Sequence, residues 1–234
     1  QGVERSSKLL VIGGGATSDL GGFVASTLLR GIIWDVVPST LLSMIDASIG
    51  GKTGINSDFG KNLIGSFHLP EKVLICTEFL KTLAEKDFSS SKGEMLKYAF
   101  LDPLCFKAID NGDIEEAIKI CALFKKRVTE KDFKESNYRK ILNLGHTLGH
   151  ALEKELAWPH GDAIYWGMLL IFEYAALIDE TQKLKRLAQI YLSRDKKRRG
   201  SQIDIILTKD HHGIVETVPL IELENFLESY DQSC

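Results

Sequence analysis

The stretch RKILNLGHTLGHALE, residues 139–153, sets two histidines four residues apart inside an apolar run. On a continuous helix, Arg139, Asn143, His146 and His150 fall within an arc of roughly 60°. Ile141, Leu144, Leu148 and Leu152 take the other side. A solvated helix face normally carries Glu and Lys. Arg, Asn and two His make a poor solvating face, and Gly145 and Gly149 each weaken a helix by roughly 1 kcal/mol relative to alanine. The pattern points to a place where another backbone or a ligand comes close. A catalytic zinc takes three protein ligands and keeps one open position. Both histidines can be ligands, or one can hold metal while the other handles protons. His160 in PHGDA and Glu94 in KGEMLK extend this to a His/His/Glu donor set, and Lys97 shares a helical face with Glu94. Spacing does not choose between His146 and His150.

Two glycine-rich segments suit anions. VIGGGATSDLGGF places Gly13, Gly14 and Gly15 between a strand and a helix, where backbone N–H groups and the helix start can face a phosphate. The spacing is not G-x-G-x-x-G, so the motif alone is weak. DASIGGKTGINSDFGKNLIG, residues 46–65, sets Lys52 and Lys61 after glycines, with Asp46 and Asn62 nearby. It fails the Walker spacing and reads as a rigid, turn-rich loop for an anionic substrate.

These residues need elements to position them. KLLVI (8–12), IIWDVV (32–37) and KVLIC (72–76) are strand candidates alternating with a helix, which predicts a parallel sheet. From about residue 80 the periodicity turns helical, through KGEMLKYAFL, IEEAIKICALFKKRV and GMLLIFEYAALI. QIDIILTKDHHGIVETV predicts a hairpin and LIELENFLESY a final helix. The expected fold class is an α/β N-terminal part, a Rossmann-like parallel sheet, followed by a mainly α-helical C-terminal domain. The expected division is 1–82 and 83–234. Ligands in such folds gather at strand carboxyl ends.

The 234 residues carry a net charge of -3, which gives no general pull toward nucleic acid or anionic membranes. The basic run RDKKRRG (194–200) reads on charge as a solvated loop. Cys76, Cys105, Cys121 and Cys234 form no C-x-x-C pair and read as reduced thiols. The apolar stretch at 163–178 contains Glu173 and is short for a membrane span. With no signal-like core at the N-terminus, the expected location is the cytoplasm.

Taken together, GGGATSDLGGFVASTLLRG, VPSTLLSMIDASIGGKTGIN, GKNLIGSFHLP, GEMLKYA, NLGHTLGHALE, HGDAIYWGM and DKKRRG resemble, in order, the 3-dehydroquinate synthase family of sugar-phosphate cyclases. The resemblance implies zinc, or cobalt in its place, on Glu94, His146 and His160, with His150 left for protons and substrate. It implies NAD over Gly14, Gly15, Ala16 and Asp19, with Ser39, Thr40, Lys61 and Phe79, Leu80, Lys81 and Thr82. Substrate contacts fall on Asp46, Lys52, Asn62, Lys97, Lys125, Arg139, Asn143, His150 and a lysine of the DKK run, Lys196 or Lys197. Arg30 would reach the substrate phosphate of a neighbouring subunit, which implies a homodimer. Glu135 matches a proton-accepting position, and Lys97 is counted with His150 and Glu135 as catalytic. The substrate implied is a seven-carbon keto-sugar acid phosphate, with no nucleic-acid or membrane partner.

Relative to the family, the sheet is expected to be incomplete, because family members carry further strands ahead of the glycine turn. Ser39 stands where threonine is usual and Asp162 where glutamate is usual. Three other readings compete. They are a cyclase acting on a carboxylate-free sugar phosphate, a metal-dependent alcohol or glycerol dehydrogenase of related fold, and an inactive truncated binding module. Arg139 and Lys125, a pair suited to a carboxylate, favour the heptulosonate substrate.

Overall fold

The computed structural model describes residues 2–174, 198–199, 202–209, 212–219, 221–223 and 225. In chain order it has β1 (Lys8–Gly13), α1 (Gly15–Thr27), β2 (Ile33–Pro38), β3 (Lys52–Ser57), β4 (Gly60–Phe67) and β5 (Lys72–Val73). Then follow α2 (Glu85–Leu101), α3 (Pro103–Asp110), α4 (Ile114–Lys131), α5 (His146–Leu156), α6 (His160–Tyr174), β6 (Arg198–Arg199), β7 (Gln202–Lys209) and β8 (His212–Pro219). The chain forms two compact units, Gln1–Ser89 with Ala108–Arg139, and Ser90–Lys107 with Lys140–Cys234.

In the first unit the branched residues of KLLVIG and IWDVVP suit a pleated surface. They form a parallel sheet of order β1-β2-β5, with Leu10 opposite Asp35 and Gly13 opposite Pro38. Val11, Ala25, Ile32, Trp34 and Val36 make the core between this sheet and α1. The third strand is shorter than KVLIC suggests. Pairing with β2 stops at Val73, after which Leu74 N–H donates to the Val36 carbonyl. The segment expected as a loop is a hairpin instead: β3 and β4 pair antiparallel, with Lys52 opposite Phe67 and Thr53 opposite Ser66. Polar residues and glycines hide the period-2 pattern there. A relay of hydroxyls fastens the hairpin to α1, from Thr53 Oγ1 to Ser66 Oγ at 2.9 Å and from Ser66 Oγ to Ser26 Oγ at 2.7 Å. α4 starts on Asp113, whose side chain accepts from Glu116 N–H.

In the second unit α5 and α6 pack face to face. Leu148, Ala151, Leu152, Ala163, Leu170 and Ile171 share a core with Ile205, Val218 and Leu223. The expected hairpin is present as β7–β8, with Ile205 opposite Glu216. Of LIELENFLESY only 221–223 and 225 are described, and these are helical.

The single helix expected over 139–153 is broken. Tyr138–Asn143 is a 3-10 turn, Gly145 sits left-handed at φ 76, and α5 begins at His146. The 60° arc therefore holds for His146 and His150 only, and Arg139 and Asn143 lie on a different element. A side chain at Gly145 would meet Met168 Cγ at 2.5 Å and the Ile164 carbonyl at 2.7 Å. The glycines of this stretch make room for the backbone of α6, not for a ligand.

Candidate active site

α2 places Glu94 and Lys97 one turn apart, each 1% exposed. Lys97 Nζ lies 2.5 Å from Glu94 Oε2 as an ion pair, yet that buried oxygen accepts no hydrogen bond of ordinary geometry. The other oxygen, Oε1, lies 3.1 Å from His146 Nε2 and 3.0 Å from His160 Nε2. His146 and His160 open α5 and α6 respectively. A Cβ on Gly93 would collide with the Gly161 carbonyl, and one on Gly161 with the Ser90 carbonyl. The paired glycines let α2 and the start of α6 approach closely enough to bring Glu94 and His160 together.

Both rings are oriented from behind. His146 Nδ1 lies 3.1 Å from the Leu144 carbonyl, an acceptor for its proton, so that Nε2 can present its lone pair to a bound cation. His160 Nδ1 lies 3.0 Å from Glu153 Oε2. Burial opposes the Glu94 carboxylate, but the adjacent Lys97 ammonium and His146 outweigh it and hold Glu94 well below the usual range. Burial pushes His146 below its ordinary value, against the pull of Glu94. Burial also works against charge on His160, yet hydrogen bonds to Glu153 and Glu94 carry it up to about 9.

The ligand atoms of Glu94, His146 and His160 lie within 4.8 Å of one another. A buried carboxylate whose Oε1 faces two imidazole nitrogens fits a divalent ion with N/O preference and an open position. His150 stands beside this group, its ring centroid 5.3 Å from that of His146 and 5.9 Å from that of His160. His150, Glu153 and His160 form a second, overlapping donor cluster. Asn143 ends the 3-10 turn ahead of α5.

In the first unit the glycine turn lies at the carboxyl ends of parallel strands. Gly14 caps α1, Ser18 N–H donates to its carbonyl, and Ser39 N–H, just past β2, donates to Gly13. Thr40 stands over Gly14, where a Cβ would meet its Cγ2 at 3.0 Å. Gly14, Gly15, Ala16, Ser39 and Thr40 are thus brought together. Asp19, one turn into α1, accepts from Asn62 Nδ2 at 3.1 Å, which joins the helix to the hairpin. Burial is the main cause pushing the Asp19 carboxyl up to about 6. Lys125 Nζ, buried, reaches Asp46 Oδ2 at 2.9 Å and its carbonyl at 2.6 Å. Lys52 pairs with Glu135. Lys61 lies exposed on β4.

Arg139 is 2% exposed, and its Nη1 donates to the Gly50 and Phe133 carbonyls at 2.9 and 2.6 Å. It therefore braces the hairpin root. Phe79, Leu80, Lys81 and Thr82 sit on a separate 3-10 turn, Thr77–Thr82. Arg30 (φ 69), Asn62 (φ 50) and Glu135 (φ 58) are left-handed without being glycine. Leu29 and Ala157, to which no role is assigned, share this conformation, so it does not by itself mark the site. Lys196 and Lys197 lie outside the described residues.

Two acids escaped the sequence reading. Glu153 orients His160, and its spacing of seven from His146 was a usable signal. Asp132 accepts from Ser136, Asn137 and Arg139 N–H at 2.8–3.0 Å and from the Ser136 hydroxyl at 2.9 Å, fixing the loop that carries Glu135. These bonds, led by the one from Asn137, hold its carboxyl far below the usual range. Nothing in its sequence context marked it.

The fold is shared with sugar-phosphate cyclases. A 2-deoxy-scyllo-inosose synthase solved with carbaglucose-6-phosphate, NAD+ and Co2+ is similar over 97% of this chain and 75% of its own, with TM-score 0.80 and 23% identity. A 2-epi-5-epi-valiolone synthase from Streptomyces hygroscopicus, solved with NAD+ and Zn2+, is similar over 97% and 74%, with TM-score 0.76 and 22% identity. The N-terminal domain of 3-dehydroquinate synthase matches residues 1–90 and its C-terminal domain residues 91–204. The 3-dehydroquinate synthase of Rhizobium etli is 35% identical over 96% of this chain and 72% of its own length. The chain belongs to the 3-dehydroquinate synthase family.

Proposed function

We propose that this chain carries out the 3-dehydroquinate synthase reaction, a phosphate-eliminating ring closure of 3-deoxy-arabino-heptulosonate 7-phosphate, with NAD and zinc or cobalt. The observation that carries the reading is the preformed Glu94/His146/His160 donor set within this family. Bound NAD would supply reversible hydride transfer at one ring hydroxyl, and a bound metal would supply Lewis acidity there. Glu94, His146 and His160 would hold the metal. His150, beside them, moves protons and touches substrate. Lys97 adds positive charge at the same place. Gly14, Gly15, Ala16, Asp19, Ser39, Thr40, Lys61 and the turn of Phe79 to Thr82 hold the cofactor.

Asp46, Lys52, Asn62, Lys125, Arg139, Asn143 and a lysine of the 196–197 pair contact substrate, and Glu135 accepts a proton. Residues 1–82 form the NAD-binding domain, which also lends Asp46, Lys52 and Asn62 to the substrate, and residues 83–234 the metal- and substrate-binding domain. In this reading Arg30, which is exposed, reaches the substrate phosphate of a neighbouring subunit, hence a homodimer. No helix among the described residues is long and apolar enough to cross a membrane. Four scattered cysteines with no C-x-x-C pair suit the reducing cytoplasm.

The test is turnover of the heptulosonate phosphate with NAD and Zn2+ or Co2+. Phosphate release without net NADH supports the reading. Net NADH with glycerol favours a dehydrogenase, and preference for a carboxylate-free sugar phosphate favours another cyclase. Metal uptake with no NAD binding favours an inactive module.

A further inference from the structure

We propose that Glu153 is a positioning residue for the metal, fixing the His160 ring so that Nε2 presents its lone pair where Glu94 and His146 converge. The inference rests on His160 being a ligand. An imidazole has two nitrogens and, when neutral, one proton. The His160 ring is held at both ends, 3.0 Å from Glu94 Oε1 through Nε2 and 3.0 Å from Glu153 Oε2 through Nδ1. Only one end can face a cation. A carboxylate behind Nδ1 keeps the proton there, and its charge makes Nε2 a stronger donor.

His146 has the same arrangement with a different acceptor, the Leu144 carbonyl at 3.1 Å. The two rings are thus backed unequally, one by a neutral group and one by an anion. The helix pattern makes this economical. His146, His150 and Glu153 stand at i, i+4 and i+7 on α5, along one face. One helix therefore supplies a ligand, the neighbouring histidine and the group that orients the ligand on α6. Glu153 is shielded enough for its charge to count, with 19% side-chain exposure.

The same side chains also define a rival. His150, Glu153 and His160 lie close enough to bind an ion themselves, in which case Glu153 would be a ligand and not a support. Stoichiometry separates the two.

The experiment measures ions bound per chain and the Co2+ or Zn2+ dissociation constant, by competition with a chromophoric chelator. Wild type, Glu153→Ala, Glu153→Gln and His160→Ala are compared, with circular dichroism of each metal-free form. One ion per wild-type chain is expected. Glu153→Ala should weaken binding about 10- to 100-fold. Glu153→Gln keeps an acceptor oxygen but loses the charge, and should weaken it about three- to tenfold. The Gln variant decides the matter if the Ala variant does not fold. Equal affinity in wild type and both Glu153 variants, with His160→Ala losing the ion, overturns the role of Glu153 alone. Retention of the ion by His160→Ala overturns the ligand set beneath it. Two ions in wild type and one in Glu153→Ala would make Glu153 a ligand and also overturn the proposal.

Discussion

The two units hold their functional residues by opposite means. In the second unit Glu94 is buried and His146 and His160 are half-buried, all three borne on helices and set by backbone contact at Gly93 and Gly161. In the first unit Lys125 and Arg139 are buried, but Asp19 and Glu135 are half-buried and Asn62 and Lys52 exposed, joined by a hydrogen bond and an ion pair. The first arrangement has little tolerance, since a close-packed interior transmits small errors. The second can lose a bond to water at small cost. Substitutions in the second unit should therefore act sharply, and those in the first should act by degrees.

The severest break is His160→Ala. Metal content should fall to background and turnover with it, by at least about a thousandfold, as expected when an enzyme loses its Lewis acid. Stoichiometric metal in the variant would show that the buried group is not the ligand set.

Next is Lys97→Ala, which leaves the Glu94 carboxylate buried without its ammonium. Removing one partner of such a pair costs about 3–5 kcal/mol, read as lost stability in urea unfolding of metal-free protein. Added Zn2+ should restore part of it. A variant as stable as wild type would mean that the pair contributes nothing.

Gly93→Ala should cost about 1–3 kcal/mol through forced backbone movement and lower metal occupancy along with stability. An unchanged melting temperature would remove the close approach as a constraint.

Asp19 gives the smallest effect, on the other side of the contrast. Its carboxyl ordinarily titrates near 3.8 and here near 6, so the folded chain holds the proton more tightly than the unfolded one. The stability this contributes is present at low pH and is lost as pH rises through about 6. Asp19→Asn should flatten the pH dependence of unfolding between those values. An identical slope in the variant would place the titration elsewhere.

The contrast also explains what could be read in advance. The strands at Lys8 and Ile33 and the helices carrying Glu94 and Lys125 follow from period and branching, which are local properties. The candidates Glu94, His146, His150 and His160 stand out by residue type, but spacing does not choose between His146 and His150, and the choice rests on the family resemblance. The unbroken helix failed because Gly145 answers to Met168 and Ile164, residues on another helix. The hairpin failed because its ladder carries polar residues and glycines. Arg139 stands out by type in an apolar run, but its partners, the Gly50 and Phe133 carbonyls, are backbone groups that no sequence pattern names.

The Lys97–Glu94 pair has a consequence for how the protein is made. The counter-charge sits on the same helix, one turn away, so it forms as that helix forms and waits for nothing from outside. Small zinc modules unfold when emptied because ion binding is itself their folding free energy. Here the carboxylate has a tethered cation from the start, and α5, α6 and the hairpin have an apolar core of their own. Folding of this unit therefore does not have to wait for an ion.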